Sequence, residues 1–376
     1  MKVVADNKIP FLEGALEPFA DIDYFPGKEI TNDTIRDADA LLIRTRTKCD
    51  EHLLKGSPVK FIATATIGFD HIDTGYCRKA GIHWTNAPGC NSSSVQQYIA
   101  SSLITLSQKK GFDLTRKSFG VVGVGNVGSK IVQLAEQLNM TVYLNDPPRE
   151  RKEGSCQFIS LDGILRESDI ITFHVPLITD GIDKTFHMVN DALLGKMNKG
   201  AIIINSSRGE VIDSEALKNA LKSGHISGAV LDVWENEPCL DQELLEIVDI
   251  ATPHIAGYSA DGKANGTTMI IRALSRFFDL GVNDWIPAGI PDPPVNTIKI
   301  DCTGKSDDLI VQEAILATYT VTEDDKRLRS SVDTFEKQRG EYPLRREYHA
   351  YHLILSEDRP GAFKRLKKLK FNIEMN

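Results

Sequence analysis

Three closely spaced glycines in the middle of the chain restrict what this region can fold into. Gly123, Gly125 and Gly128 follow an apolar run at 119–122 that is typical of a buried strand, and a helical pattern begins after them. In this context the first glycine permits a tight turn, the second lets the backbone approach a pyrophosphate, and the third lets the helix pack closely on the strand. The helix N-terminus then presents N–H groups to the phosphates. The spacing predicts a dinucleotide-binding βαβ unit rather than an incidental Gly-rich turn.

A carboxylate at the end of the next candidate strand fits the same unit. Asp146 lies 18 residues after Gly128, directly behind the apolar run 141–145. Such a carboxylate accepts hydrogen bonds from the adenosine ribose hydroxyls and repels a 2′-phosphate, so the sequence favours NAD over NADP. Arg149 is near enough to complicate this preference, although two prolines stiffen the turn between it and Asp146.

Short apolar runs alternate with helical patterns along most of the chain. The helical stretches include 130–138 and 214–222, and the apolar runs are bounded by Gly, Pro, Asp or Asn. Strands that alternate with helices predict doubly wound parallel sheets, and therefore an α/β protein. The candidate strands are residues 2–4, 40–43, 61–65, 82–85, 120–122, 141–145, 170–174, 201–206, 229–232 and 249–251.

Two turn-rich segments suggest domain boundaries. The segment 86–91 precedes a helix that Ser92 or Ser93 would cap, and the segment 284–294 contains four prolines and is typical of a linker. The predicted domains are, in order, 1–92, 93–257 and 286–376.

The third domain has a pattern of its own. Ser306 is predicted to cap a helix, Leu328, Val332 and Phe335 share one face of a second helix, and 348–355 is typical of a strand. A block of this size has a limited core and is expected to pack on another surface. A contact between copies of the chain is the favoured interpretation, and docking on the same chain is the alternative.

Charge and composition exclude several classes of protein. The chain has 44 Lys and Arg against 52 Asp and Glu, a formal charge of −8, which argues against a nucleic-acid partner. No apolar run is long enough to cross a membrane. The six cysteines are scattered, without metal-ligand spacing, so we expect reduced thiols, no metal site and a cytoplasmic location.

Three of the later candidate strands are followed by residues that can do acid–base or ionic chemistry. Arg208, Glu237 and His254 come after consecutive strands. Singly, they have simpler interpretations: a surface ion pair, a charge at a helix N-terminus and a loop histidine. Ligands in open parallel sheets bind at the carboxyl ends of the strands, so the three together, beside a dinucleotide motif, predict a catalytic group.

These residues resemble the D-isomer-specific 2-hydroxyacid dehydrogenases, and further matches lie at 65–73, 174–177 and 252–257. The resemblance implies a Rossmann-type domain inserted in a flavodoxin-like substrate domain, which the segment 258–285 completes, plus a small α+β C-terminal dimerisation domain. It also implies that Arg208 holds the substrate carboxylate, that His254 is the general base for the C2 hydroxyl, and that Glu237 orients His254. Hydride would pass from C2 to NAD.

The resemblance extends to ligand contacts. Those expected for NAD are Gly123, Gly125, Asn126, Val127, Gly128, Asp146, Val175, Ser206, Ser207, Asp232 and Gly257. Those expected for the substrate are Arg44, Thr45, Thr66 and Tyr258. The hydroxyls and cations at 44–48 suit a phosphate, with a solvated basic loop as the alternative. Arg345 and Arg346 are weaker candidates to reach a site from the third domain.

The C-terminal block, especially 319–325 and 341–347, narrows the resemblance to one branch of the family. That branch acts on a small phosphorylated sugar acid and forms homodimers through this block. Two alternatives stay open: a dehydrogenase for 3-phosphoglycerate or D-lactate, which would share the same three residues, and an NADH-sensing regulator with the same fold. One departure is Gln97, where the family often has a glutamate.

Overall fold

The computed structural model describes residues 1–154 and 157–374. Contacts divide the chain into two compact units, Met1–Asn91 with Ser259–Pro291, and Ser92–Tyr258 with Asp292–Asn376. The second unit therefore contains most of the predicted third domain. Within the described ranges, no helix is long and apolar enough to cross a membrane.

The elements follow the chain in a regular alternation. The strands are β1 (Lys2–Asp6), β2 (Asp21–Phe25), β3 (Ala40–Ile43), β4 (Phe61–Thr64), β5 (His83–Thr85), β6 (Ser118–Val122), β7 (Thr141–Asn145), β8 (Ile170–Phe173), β9 (Ala201–Asn205), β10 (Ile226–Leu231), β11 (Ile250–Ala251), β12 (Thr297–Ile300), β13 (His352–Leu355) and β14 (Asn372–Ile373). The α-helices are α1 (Glu51–Leu54), α2 (Thr74–Ala80), α3 (Ser92–Lys110), α4 (Asn126–Gln137), α5 (Pro147–Glu153), α6 (Leu161–Glu167), α7 (Asp191–Leu194), α8 (Ser214–Lys222), α9 (Gln242–Ile247), α10 (Ala260–Phe278), α11 (Asp307–Thr318), α12 (Val321–Ser330), α13 (Phe335–Gly340) and α14 (Pro360–Lys368).

The first unit is a five-stranded parallel sheet in the order β2-β1-β3-β4-β5, the order of flavodoxin-like folds. Helix α10 returns to this sheet, and its Ile270, Ile271 and Leu274 are buried against residues of β1, β3 and β4. The sequence pattern missed β2, whose residues alternate acidic and apolar side chains. This is an edge strand that pairs only with β1, so it lacks the continuous apolar run of a central strand.

The second unit contains a six-stranded parallel sheet in the order β11-β10-β9-β8-β6-β7. The chain goes from β6 to β7 on one side and then crosses to β8 on the other. In doubly wound sheets, ligands bind where the strand order reverses, outside the carboxyl ends of the strands. This point lies between β6 and β8, where the three-glycine segment begins.

The C-terminal segment has a small sheet of its own, β12-β13-β14, and its strands pair in parallel. Helices connect the strands, as parallel pairing requires. The prediction of one helix through Leu328, Val332 and Phe335 is wrong. Helix α12 ends at Ser330, a 3-10 turn covers Val332–Thr334, and α13 starts at Phe335. The non-helical backbone of Ser331 (φ −157°, ψ 69°) interrupts the helix, but Leu328 and Phe335 still lie in one buried cluster.

The C-terminal segment docks on its own chain, which was the alternative in the sequence analysis. The Ser101 hydroxyl accepts a hydrogen bond from the Val321 N–H at 2.9 Å. The Gln97 amide donates to the Arg346 carbonyl at 3.0 Å and to the Thr318 hydroxyl at 3.1 Å. A glutamate carboxylate has no hydrogen to donate, which explains why glutamine suits position 97. The contact between copies of the chain stays a prediction.

Of the cysteines that the structure describes, Cys49, Cys77, Cys239 and Cys302 are free thiols. Cys156 lies outside the described residues.

Candidate active site

A histidine and a glutamate form a direct pair at the carboxyl ends of neighbouring strands. His254 follows β11, Glu237 lies in the loop after β10, and His254 Nδ1 is 2.8 Å from Glu237 Oε2. An ionised carboxylate only accepts hydrogen bonds, so in the neutral imidazole Nδ1 carries the hydrogen and Nε2 has the free lone pair. Both side chains stay partly accessible, with 31% and 19% exposure. The pair is therefore arranged to take up a proton at Nε2.

Glu237 is held in its ionised form. Burial by itself would raise the pKa of its carboxyl, but the hydrogen bond and the charge of His254 keep that pKa below its usual value. Two further groups lower the pKa of Glu237. The Trp234 N–H donates a hydrogen bond to Glu237 Oε1 at 3.0 Å, and the charge of the Arg339 guanidinium favours the ionised carboxyl. A carboxylate in this position stabilises the imidazolium that forms when His254 takes a proton.

The loop that carries His254 is held by a buried carboxylate. Asp232, 1% exposed at the end of β10, accepts hydrogen bonds from the Thr252 hydroxyl at 2.6 Å and from the N–H groups of Ile255 and Ala256 at 2.8 and 2.9 Å. Burial raises the pKa of Asp232 above its usual value, although the charge of His254 and these hydrogen bonds oppose the rise. From the sequence, Asp232 was expected at the cofactor; its role in holding the loop has no local signal, because the bonds join positions about 20 residues apart.

Arg208 lies in the loop after β9, directly beside the loop that carries Glu237. Asn205 fixes the backbone here: its amide donates to the Arg208 carbonyl at 2.9 Å, and its carbonyl accepts from Ser207 N at 3.0 Å. A Cβ on Gly209 would lie 2.0 Å from the carbonyl carbon of Trp234. The two loops touch only because position 209 has no side chain. The sequence analysis did not single out this glycine, although it follows Arg208 immediately.

The three glycines have different roles at the point where the strand order reverses. Gly123 has φ +86°, and a Cβ there would meet the His174 carbonyl oxygen at 2.5 Å. A Cβ on Gly128 would lie 2.0 Å from the Gly123 oxygen, so helix α4 packs closely on the turn. A Cβ on Gly125 would meet nothing within 4 Å. The protein's own packing thus requires two of the glycines, and the third faces open space that a ligand can fill.

The start of α4 suits a phosphate. Its N-cap is Gly125, and in the part of the chain that the structure describes no side chain caps the helix. The first N–H groups of a helix have no partners within the helix, and the helix dipole places positive charge there. Asn126 and Val127 supply two of these N–H groups. The residues present therefore fit the pyrophosphate of a dinucleotide.

Asp146 follows β7 and caps α5, with its Oδ1 accepting from Arg149 N at 3.0 Å and its Oδ2 from Val124 N at 2.8 Å. The Arg149 guanidinium pairs with Glu153 at 2.7 and 2.9 Å and donates to the Val124 carbonyl at 2.6 Å. Arg149 left the choice between NAD and NADP open in the sequence. Its guanidinium is engaged by these partners, which weakens the case for a 2′-phosphate contact.

The other residues expected at the cofactor lie at the ends of the same strands. Val175 follows β8, and its Cγ1 would be 2.9 Å from a Cβ on Gly123. Ser206 and Ser207 follow β9, and within the described residues the buried Ser206 hydroxyl has no hydrogen-bond partner. Gly257 lies in the loop after His254.

The residues expected at the substrate belong to two different units. Arg44 and Thr45 follow β3 in the first unit, and Arg44 Nη1 donates to the Lys8 carbonyl after β1 at 3.1 Å. Thr66 follows β4, and its hydroxyl bonds the Thr64 hydroxyl at 2.7 Å. These positions lie at or beside the β1/β3 switch point of the flavodoxin-like sheet. Tyr258 is the last residue of the first of the two chain segments in the second unit. Its ring meets the Tyr342 ring edge-on, with centroids 5.8 Å apart.

Two protein families match separate parts of the chain. Residues 92–256 match the D-isomer specific 2-hydroxyacid dehydrogenase NAD binding domain. Residues 290–369 match a family described only as a domain of unknown function.

Curated relatives match over nearly the whole chain. An erythronate-4-phosphate dehydrogenase of Bacteroides fragilis is 54% identical over 95% of this chain and 100% of its own length. Proteins of the same name from Porphyromonas gingivalis and Proteus mirabilis are 43% and 39% identical, over 94% and 99% of this chain and 95% and 99% of their own lengths.

Solved structures share the fold over a smaller part. The D-lactate dehydrogenase of Aquifex aeolicus, in complex with NAD and lactic acid, is 28% identical with a TM-score of 0.62, over 77% of this chain and 100% of that one. A 3-phosphoglycerate dehydrogenase of Entamoeba histolytica with bound NAD+ is similar in fold at 24% identity and a TM-score of 0.63, over 77% of this chain and 99% of that one.

Proposed function

The chain belongs to the erythronate-4-phosphate dehydrogenases, within the D-isomer-specific 2-hydroxyacid dehydrogenase family, and from this we propose that it oxidises 4-phospho-D-erythronate to 3-hydroxy-2-oxo-4-phosphobutanoate. The oxidant is NAD, and the reaction is a step in the biosynthesis of pyridoxal 5′-phosphate. The observation that carries the proposal is the hydrogen-bonded pair of His254 and Glu237 at the carboxyl ends of the strands, 2.8 Å apart.

The chain's own residues account for the proton and for the orientation of the substrate. His254 Nε2 takes the proton of the C2 hydroxyl, and Glu237 stabilises the imidazolium at Nδ1. Arg208 holds the substrate carboxylate, for which the fork of guanidinium donors is suited. When bound, NAD accepts the hydride that leaves C2. The amides at the start of α4, Gly125 and Asp146 would hold the dinucleotide.

The phosphate of the substrate is assigned to the first unit. Arg44, Thr45 and Thr66 provide a cation and hydroxyl groups after β3 and β4, and Tyr258 is a further substrate contact. A charge-assisted hydrogen bond from Arg44 is stronger than a neutral one, which favours a phosphorylated acid over D-lactate.

A single-turnover assay tests the reaction and the substrate together. The protein is loaded with NAD, each acid is added in turn, and NADH fluorescence is followed, so that slow product release cannot hide the reaction. We expect a signal with 4-phospho-D-erythronate and none with 3-phosphoglycerate or D-lactate. A signal only with one of the other acids would refute the substrate. NAD binding without a signal from any acid would favour the NADH-sensing regulator.

A substitution tests the role of His254. In His254→Ala, NAD should bind with unchanged affinity, because His254 lies outside the glycine turn, while hydride transfer should be lost. Substantial remaining turnover would remove His254 from the proton-transfer step.

We also propose that the chain forms a homodimer through its C-terminal segment, and that it works in the cytoplasm without a nucleic-acid partner. Val295, Leu309 and Leu344 of this segment are 65%, 39% and 45% exposed, so large apolar side chains of the segment are available for a contact with a second copy. Light scattering should give twice the chain mass of 41.6 kDa. A mass of one chain at all micromolar concentrations would refute the dimer.

A further inference from the structure

A buried arginine of the C-terminal segment contacts the loop that carries His254. Arg345 lies after α13 and is 5% exposed. Its Nη2 donates a hydrogen bond to the Ala256 carbonyl at 2.5 Å. Ala256 is two residues after His254 and two before Tyr258, so this bond reaches the backbone between two residues that are assigned to the reaction.

Ala256 is held from both sides. Its N–H donates to the Asp232 carboxylate at 2.9 Å, and its carbonyl accepts from the Arg345 guanidinium. One partner comes from the end of β10 and the other from the C-terminal segment. His254 itself has φ +56°, a left-handed conformation that residues other than glycine rarely adopt. Contacts outside the loop must maintain such a conformation, and Ala256 is where two charged groups supply them.

The guanidinium is in turn fixed by two tyrosines. It lies 4.6 Å from the centre of the Tyr319 ring and 5.7 Å from that of Tyr342. Both hydroxyls donate to Asp324, at 2.7 and 2.6 Å, so one buried carboxylate orients both rings. A planar guanidinium stacks on such rings, whereas an ammonium group does not keep its donors in a fixed plane. The arrangement selects arginine rather than positive charge alone.

We propose that Arg345 is a positioning residue for the dehydrogenation: it holds the Ala256 carbonyl and so keeps His254 directed at the substrate. The inference rests on the proposed function. It gives the C-terminal segment a second task besides the proposed dimerisation. Arg345 acts through the loop backbone and touches no reacting atom.

Arg365 provides a matched control. It is an arginine of the same segment, on α14, and its Nε donates to the Gln137 carbonyl at 2.6 Å. Gln137 is the last residue of α4, at the opposite end of that helix from the glycine turn. Substitution of Arg365 breaks a guanidinium–carbonyl bond between the same two parts of the chain, but away from the catalytic loop.

The experiment compares Met and Lys substitutions at both positions in the full chain. Arg345→Met and Arg345→Lys should lower kcat by about 10- to 100-fold, the range expected when a reacting group is misplaced by up to 1 Å. The affinity for NAD should stay within about twofold of wild type. This is well below a tenfold change, which corresponds to about 1.4 kcal/mol of binding free energy. Guanidinium ion should restore part of the activity of Arg345→Ala. The Arg365 variants should lower the melting temperature but leave kcat unchanged.

A measurement independent of turnover separates this inference from the proposed function. Amide hydrogen exchange at 252–258 should accelerate at least tenfold in Arg345→Met and not in Arg365→Met. Unchanged exchange, or folded Arg345 variants that retain wild-type kcat, would overturn the positioning role. If the wild-type protein shows no dehydrogenase activity, the proposed function fails, and hydrogen exchange still decides whether Arg345 holds the loop.

Discussion

The close contact at Gly209 can be tested by adding one methyl group. In Gly209→Ala the new Cβ would lie 2.0 Å from the carbonyl carbon and oxygen of Trp234 and 2.5 Å from the Glu235 nitrogen, where real contacts are at least 3.0 Å. All three atoms belong to the backbone, so no flexible side chain can move aside. The two loops must therefore separate by about 1 Å, a misplacement large enough to disturb reacting groups.

This displacement acts on the active site from both sides. Arg208 precedes Gly209, and Glu237 follows Trp234 in the neighbouring loop. A misplacement of this size lowers catalysis by about 10²-fold. This ratio corresponds to about 2.7 kcal/mol of transition-state stabilisation. Overpacking also destabilises the fold by about 1–3 kcal/mol. NAD affinity is measured separately, because Ser206 and Ser207, which are expected at the cofactor, precede Arg208 in the displaced loop.

The assay is kcat/KM for 4-phospho-D-erythronate, with NAD affinity and melting temperature measured in parallel. Gly340→Ala is the control, since a Cβ there would meet nothing within 4 Å. Gly209→Ala should lose about 10²-fold in kcat/KM and melt earlier, while Gly340→Ala should match wild type. A folded Gly209→Ala protein with kcat/KM within threefold of wild type would refute the argument that this contact sets the position of Arg208.

Three further outcomes follow from the same geometry. Gly125→Ala should fold normally, since its Cβ meets nothing within 4 Å, but titration should show NAD binding weakened at least about tenfold. Gly128→Ala should instead melt at a lower temperature, because its Cβ would lie 2.0 Å from the Gly123 oxygen. Glu237→Gln should lower kcat by about 10²–10⁴-fold without loss of NAD affinity, because the imidazolium loses its counter-charge; normal turnover would contradict the pairing. The same variant should melt below wild type at pH 7, and this difference should shrink on acidification. Burial opposes but does not cancel the lowering of the Glu237 pKa by His254, so the folded protein has the lower carboxyl pKa. The resulting stabilisation is present above the usual carboxyl pKa of about 4.5 and is lost as the pH falls through the lower pKa of the folded state. A difference that grows in acid would contradict this sign.

The amino-acid sequence alone determined the parts of this protein that depend on local spacing. Each of these parts depends on a pattern within a few neighbouring positions. They are the glycine turn with its strand and helix, the parallel α/β class, and the three residues after consecutive strands. Apolar runs and caps act over a single element, so they identify helices such as α8 and α11, with its Ser306 cap, directly. Parallel strands bring their carboxyl ends to one edge, which predicted that Arg208, Glu237 and His254 lie together. That Glu237 orients His254 was implied by the family resemblance.

Tertiary structure decided the features that join distant positions. Nothing local marks Arg345 as the partner of Ala256, 89 residues away in sequence, or Asp232 as the residue that holds the His254 loop. The C-terminal segment also docks through Gln97, more than 200 residues before its partners. Such contacts depend on which surfaces meet after the elements have formed, and a hydrogen bond between two chain-distant groups leaves no periodicity in the sequence. For the same reason the edge strand β2 and the break at Ser331 became visible only in the folded chain.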